Sequence, residues 1–162
     1  MRQSRIYEVN ETERMGFETN KRFVKDYNNR RETVAIGGQV CNFRSQLEKH
    51  LAGYLELLRL GGHIKGWRFE QTTFHFNNPI LKKYVMDFDV IRNDGTFYYI
   101  ESKGHMDKHG KDRITVLLTE RPEVELWVVF SGKPDKVKFE RTKISKQCKR
   151  ICLLSELTRG LV

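Results

Sequence analysis

Long apolar runs are missing from this sequence. No segment reaches the ~18 consecutive apolar residues of a membrane span, and the opening MRQSRIYEVNETERMGF has no apolar core of a secretory leader. No membrane partner is expected, and the cytosol is the default location. Cysteine is scarce: the chain has 3, an odd count with no framework spacing, which argues against structural disulfides. Cys148 and Cys152 lie four apart, but no second Cys or His pair completes a zinc site. These two and Cys41 are expected as reduced thiols, the pair at 148 and 152 on a helix. Internal repeats and low-complexity tracts are also lacking. Acidic residues fall short of basic ones, 21 against 30, leaving a net charge of +9. Such an excess bears on partners rather than fold and favours a polyanion, nucleic acid first.

What is there amounts to one domain in 162 residues, enough to bury a core without staples. Residues 1–32 are polar and highly charged and read as a basic N-terminal arm, partly ordered, with Tyr7 and Tyr27 as possible DNA contacts. Residues 33–162 form the folded domain, ending in a basic helical tail. In TVAIGGQVCNF two β-prone runs flank Gly37-Gly38, which predicts a tight hairpin. A helix is predicted over 43–60, with Ser45 or Asn42 as cap. Leu47, Leu51, Tyr54, Leu55 and Leu58 make its apolar stripe, and Gly61-Gly62 its end. Residues 67–76 alternate as a strand. Residues 84–104 form a hairpin around Asn93-Asp94-Gly95, and 108–121 a helix stopped near Pro122. VELWVVF (124–130) predicts a strand buried on both faces. ISKQCKRICLLSELT reads as a helix with Ile144, Cys148, Ile151 and Leu154 on one side. The order predicts an α/β fold, a mixed central sheet flanked by helices.

The chemistry lies between Asp87 and Lys103. Strand side chains alternate, so Glu101 and Lys103 share a face and Ser102 takes the other. The face of Asp87 depends on the hairpin. A two-residue loop pairs it with Ser102 and separates the acids. A three-residue loop, Asn93-Asp94-Gly95, pairs Arg92 with Thr96 and sets Asp87 opposite Glu101. Two acids so placed repel each other unless a bound cation lies between them. The flanking Phe88, Val90, Ile91, Tyr98, Tyr99 and Ile100 suggest an interior hairpin rather than solvent-facing acids with Lys103 as counter-ion. Asp89 shares the face of Asp87, either supporting the site or as a plain polar strand residue. Glu48 sits at the flank of the helix stripe, facing either the sheet edge or solvent. His105 and His109 could pair on a helix, but Gly104 and Gly110 make a mobile loop the better reading.

Taken together, Gly37-Gly38, Phe43-Arg44-Ser45-Gln46-Leu47-Glu48, Gly62-His63-Ile64, Asp87-Phe88 and Glu101-Ser102-Lys103-Gly104 resemble, in that order, the PD-(D/E)xK nuclease superfamily. Within it the likeness is to small phage endonucleases related to Holliday-junction resolvases. The resemblance covers about residues 33–131 and implies a restriction-endonuclease-like core. It implies a divalent-metal-dependent endonuclease acting on branched or specific duplex DNA, working in a host cytosol if phage encoded. Asp87, Glu101 and Glu48 would be catalytic acids and ligands of Mg²⁺, or of Mn²⁺ in its place. The Ser102 backbone carbonyl would be a further ligand and Lys103 the catalytic lysine. Arg44, Lys108, Lys111 and Arg113 would contact DNA, although Thr115 and Leu117 stand where relatives carry lysine. A homodimer is possible if both strands are cut. Two other readings compete: a non-catalytic nucleic-acid-binding module on the same fold, and a protein that binds a host enzyme.

Overall fold

The computed structural model describes residues 31–132 and 147–159. The expected arm lies outside these residues up to position 30, with Tyr7 and Tyr27, as does Ile144 of the tail.

The chain opens with the predicted hairpin: β1 (Glu32–Ile36) and β2 (Gln39–Phe43) pair antiparallel about Gly37 and Gly38. Both turn glycines have positive φ, 60° and 79°, which two-residue hairpin turns demand. Helix α1 (Gln46–Leu60) follows. Ser45 caps it by accepting from the Glu48 N–H at 3.2 Å, and the positive φ of Gly62, 71°, turns the chain out beyond its end.

The central sheet has the order β3-β6-β7-β8-β9. Its strands are β3 (Gly66–Phe69), β6 (Phe88–Ile91), β7 (Phe97–Lys103), β8 (Leu126–Phe130) and β9 (Arg150–Leu153). The first two pairings are antiparallel and the last two parallel, so the sheet is mixed. Helix α2 (Lys108–Glu120) joins β7 to its parallel neighbour β8, as such a crossover requires. Alternation along the strands divides the core. Phe88, Val90, Ile100 and Val129 pack with Leu47, Leu51 and Leu55 of α1. Val128 and Phe130 pack with Ile114, Leu117 and Leu118 of α2. β8 is buried on both faces, as its apolar run predicts.

Three expectations need correction. The strand predicted over 67–76 is two strands, because Glu70 takes a left-handed φ of 49° and leads the chain out of the central sheet. Beyond it β4 (Thr73–His75) pairs instead with β5 (Lys83–Val85) in a small separate sheet. The first arm of the 84–104 hairpin breaks alongside, after Val85. Met86 N–H donates to Thr72 O and Glu70 N–H to Asp87 O, each at 3.0 Å, and these bonds tie the two breaks together. The third correction is the tail: residues 150–153 form strand β9, followed by the short helix α3 (Leu154–Thr158), where one helix is predicted. Cys41, Cys148 and Cys152 form no disulfide, and neither Cys148 nor Cys152 is helical. A short apolar run such as ICLL suits either state by periodicity, and the open edge of β8 supplies the ladder that decides it. No helix among the described residues is long and apolar enough to cross a membrane.

Candidate metal and nucleic-acid site

The loop between β6 and β7 closes as the three-residue form. Arg92 N–H donates to Thr96 O and Gly95 N–H to Arg92 O, both at 2.9 Å, with Gly95 at φ 87°. Phe88 therefore faces Ile100; Asp87 lies one residue before β6, and continuing the same count past the strand end would set it opposite Glu101. The same counting across β3 and β6, from Phe69 opposite Phe88, sets Glu70 opposite Asp87. Glu70, Asp87 and Glu101 thus gather at one end of the sheet, the first two just outside the strands. That end is where β7 and β8 finish, and in open α/β sheets the carboxyl ends of the parallel strands are where ligands bind.

A cavity of about 1120 Å³ lies over these acids. Its walls are the start of α1 with Arg44 and Glu48, the acids Glu70, Asp87 and Glu101, residues Ser102–His105, and the start of α2 as far as Arg113. Glu48, Asp87 and Glu101 are 6%, 7% and 5% exposed, so none is a solvent-facing acid. Ser102 fixes Asp87: its N–H and its hydroxyl both donate to Asp87 Oδ2, at 2.8 and 2.7 Å. Lys103 Nζ donates to Glu101 Oε1, whereas Glu101 Oε2 is buried without a hydrogen-bond partner. The Tyr84 hydroxyl approaches the same carboxylate, and burial with the adjoining acids raises its pKa far above the ordinary range. Burial pushes the Glu101 carboxyl up to about 7, aided by the Asp87 charge and opposed by Lys103. Glu48 is raised too, by burial first; the Arg44 backbone N–H opposes the shift and the Asp87 charge adds to it.

The predicted site residues divide in their placement. Asp87, Glu101, Lys103, Glu48, Ser102, Arg44 and Arg113 all line the one cavity. Arg113 is held there with its guanidinium 4.9 Å above the Tyr84 ring. Lys108 and Lys111 are exposed and line a small hollow beside it rather than the cavity itself. Asp89 is fully buried and held by Arg68 Nη2 and Thr72 Oγ1, each at 2.8 Å from its Oδ2. It is a structural acid of the sheet and lies off the cavity. His105 and His109 both reach the cavity wall, but the expected loop ends sooner: α2 begins at Lys108 and takes in His109 and Gly110. Asp107 caps it by accepting from Gly110 N–H at 2.6 Å. A Cβ at Gly110 would stand 3.0 Å from that cap oxygen and 3.1 Å from Met106 Sδ, so the glycine permits the close cap. Glu70 is the acid the sequence reading missed. Only the strand register places it, and the register is visible only once the break at Glu70 is known.

The donor set suits a hard divalent cation, all carboxylate oxygens with one buried oxygen unpartnered. Among the described residues no group of three His, Cys, Asp or Glu side chains stands ready to hold an ion. Magnesium does not need such a cage, since one or two carboxylates together with water and substrate phosphate satisfy it. Asp87 and Glu101, which line the same cavity, are the carboxylates that would supply that smaller set. The chain matches no protein-family model, no curated protein and no solved structure, so the site stands on its own geometry.

Proposed function

We propose that this protein is a divalent-metal-dependent DNA endonuclease of the PD-(D/E)xK kind. The observation that carries the proposal is that Asp87 and Glu101, both buried, line one cavity with Lys103 paired to Glu101 and Glu101 Oε2 unpartnered. Burying two like charges together is unfavourable without cations to share, and Arg44 and Lys103 leave Glu101 Oε2 without a partner. Asp87 and Glu101 would hold Mg²⁺, or Mn²⁺ in its place, with Glu48 near and the Ser102 backbone carbonyl as a further oxygen. When bound, the ion supplies polarisation of the scissile phosphate and makes water a nucleophile near neutral pH. The chain's own residues do the rest. Ser102 orients Asp87. Lys103 brings a compact positive charge to meet the charge growing on the phosphate. Arg44 and Arg113 on the cavity wall, and Lys108 and Lys111 beside it, would contact DNA phosphates, and the net charge of +9 favours that partner.

One observation favours the non-catalytic alternative. Arg44 and Lys103 already pair with the acids, as counter-ions in a purely nucleic-acid-binding module would. Incubation of supercoiled plasmid with the protein, with and without Mg²⁺ or Mn²⁺, separates the two. Metal-dependent nicking is expected, and it should vanish in Asp87→Asn. Retention of DNA without any cutting under either ion would establish the alternative. Four-way junctions against linear duplex then define the preferred substrate, and sedimentation with and without DNA tests for a homodimer.

A further inference from the structure

Arg44 stands among the acids of the site. Its Nη2 pairs with Glu70 and lies 3.6 Å from Asp87 Oδ1, while its Nε lies 3.9 Å from Glu48 Oε1. The three acids come from separate places: the first turn of α1, the bend after β3, and the residue before β6. Freedom to move is unequal among them. The side chains of Glu48 and Asp87 are 8% and 9% exposed, that of Arg44 56%. The root of Arg44 is pinned, its backbone N–H donating to Glu48 Oε2 at 2.7 Å beside the Ser45 cap. Its guanidinium can therefore swing without disturbing α1. Glu70 is its resting partner, with a held backbone and a side chain 35% exposed. It is the one non-glycine residue among those described with a positive φ, and its N–H is bonded to Asp87 O.

A guanidinium spreads its donors across a wide planar fork, so acids gathered round it stand further apart than ligands ~2.0–2.6 Å from one ion. Among the described residues no three acids are placed to hold an ion as they stand, as such a spacing would require. Resting on the metal-dependent reading above, we propose that Arg44 is a resident counter-cation that competes with the divalent ion for Asp87 and Glu48, with Glu70 as its dock. A DNA phosphate that draws Arg44 away then raises affinity for the ion. By linkage the ion raises affinity for the phosphate to the same degree. The protein would load metal poorly until DNA is in place.

Calorimetric titration of the metal-free full-length protein with Mn²⁺ alone, without DNA, tests this. Arg44→Gln is expected to bind Mn²⁺ about tenfold or more tightly than the wild type. Lys83→Gln is the control, because Lys83 lines the same cavity but forms no ion pair with these acids. It removes the same charge and should change affinity by less than about threefold, a screened field effect. Arg44→Met, which keeps the aliphatic stem, is a second variant should the first fold poorly by thermal melt. An Arg44 variant no tighter than wild type, or matched by Lys83→Gln, while Glu101→Gln abolishes binding, overturns the role of Arg44 and leaves the metal reading standing. Absence of Mn²⁺ binding in wild type and Arg44 variants alike removes both.

Discussion

At the scale of single residues, Glu101 and Lys103 set the behaviour of the site. The folded protein holds the Glu101 proton up to about pH 7, whereas an unfolded chain releases it near 4.5. Folding therefore takes up a proton between those values. The stability contributed by the protonated carboxyl is complete below about pH 4.5 and is lost as pH rises through 7. Glu101→Gln removes that loss. In metal-free buffer at pH 8 the variant should melt several degrees above the wild type, on the order of a few kcal/mol. At pH 4.5 the gap should close. Calorimetry across that range reads it, and a constant gap would place the titration elsewhere. Lys103 is a test of chemistry rather than folding. If its ammonium meets charge in the transition state, Lys103→Ala should lower the single-turnover cleavage rate by on the order of 10²-fold or more. DNA affinity should hardly change, since one cation of many is lost. A destabilised variant with the wild-type rate per folded molecule would make Lys103 only the counter-ion of Glu101.

At the scale of elements, the β6–β7 hairpin delivers the site, because its loop length determines whether Asp87 shares a face with Glu101. Gly95 holds that loop at φ 87°, where a β-branched side chain is strained. Gly95→Val should cost about 1–2 kcal/mol of stability by urea denaturation, and Gly95→Asn distinctly less, because asparagine tolerates left-handed backbone. Equal costs for the two would show that the loop does not depend on that conformation. The same hairpin shows how far local pattern reaches. The turn residues and alternation of 97–103 were legible because they act within a few residues. The start of the other arm was not. Its break before Phe88 answers the left-handed turn at Glu70, seventeen positions earlier, through the bond from Glu70 N–H to Asp87 O. The tail misled for a related reason: ICLL carries no decisive period, and the free edge of β8 made it a strand.

At the scale of the whole molecule, the basic excess and the acidic floor of the cavity have different tasks. Phosphate contacts dominate DNA affinity and fade as salt rises, whereas on the proposed function the acids would serve cleavage. Asp87→Asn should therefore abolish metal-dependent cutting yet, in metal-free buffer, bind duplex DNA no more weakly than the wild type, with a similar slope of log affinity against log salt. Fluorescence anisotropy over a salt series measures both quantities. Loss of DNA binding in Asp87→Asn would mean that the acid supports the DNA-binding surface rather than the chemistry. A flat salt dependence in the wild type would count against nucleic acid as the partner.

The sequence by itself determined the α/β class, the end of α1 and two candidates for its cap, the doubly buried β8, and two admissible hairpin registers of which one brings Asp87 to Glu101. These rest on turn chemistry, capping and periodicity, which act between neighbours along the chain. Tertiary structure decided the rest. It selected the three-residue loop, burial of Glu48 at the cavity instead of exposure, and Asp89 as the partner of Arg68 instead of a member of the site. It also placed Glu70 with the acids of the site and Arg44 among them. The physical reason is that a side chain's partners across a sheet follow from strand register and from where the strands break. Both are settled by packing between segments distant in sequence, and no local preference of Glu70 or Arg44 specifies them.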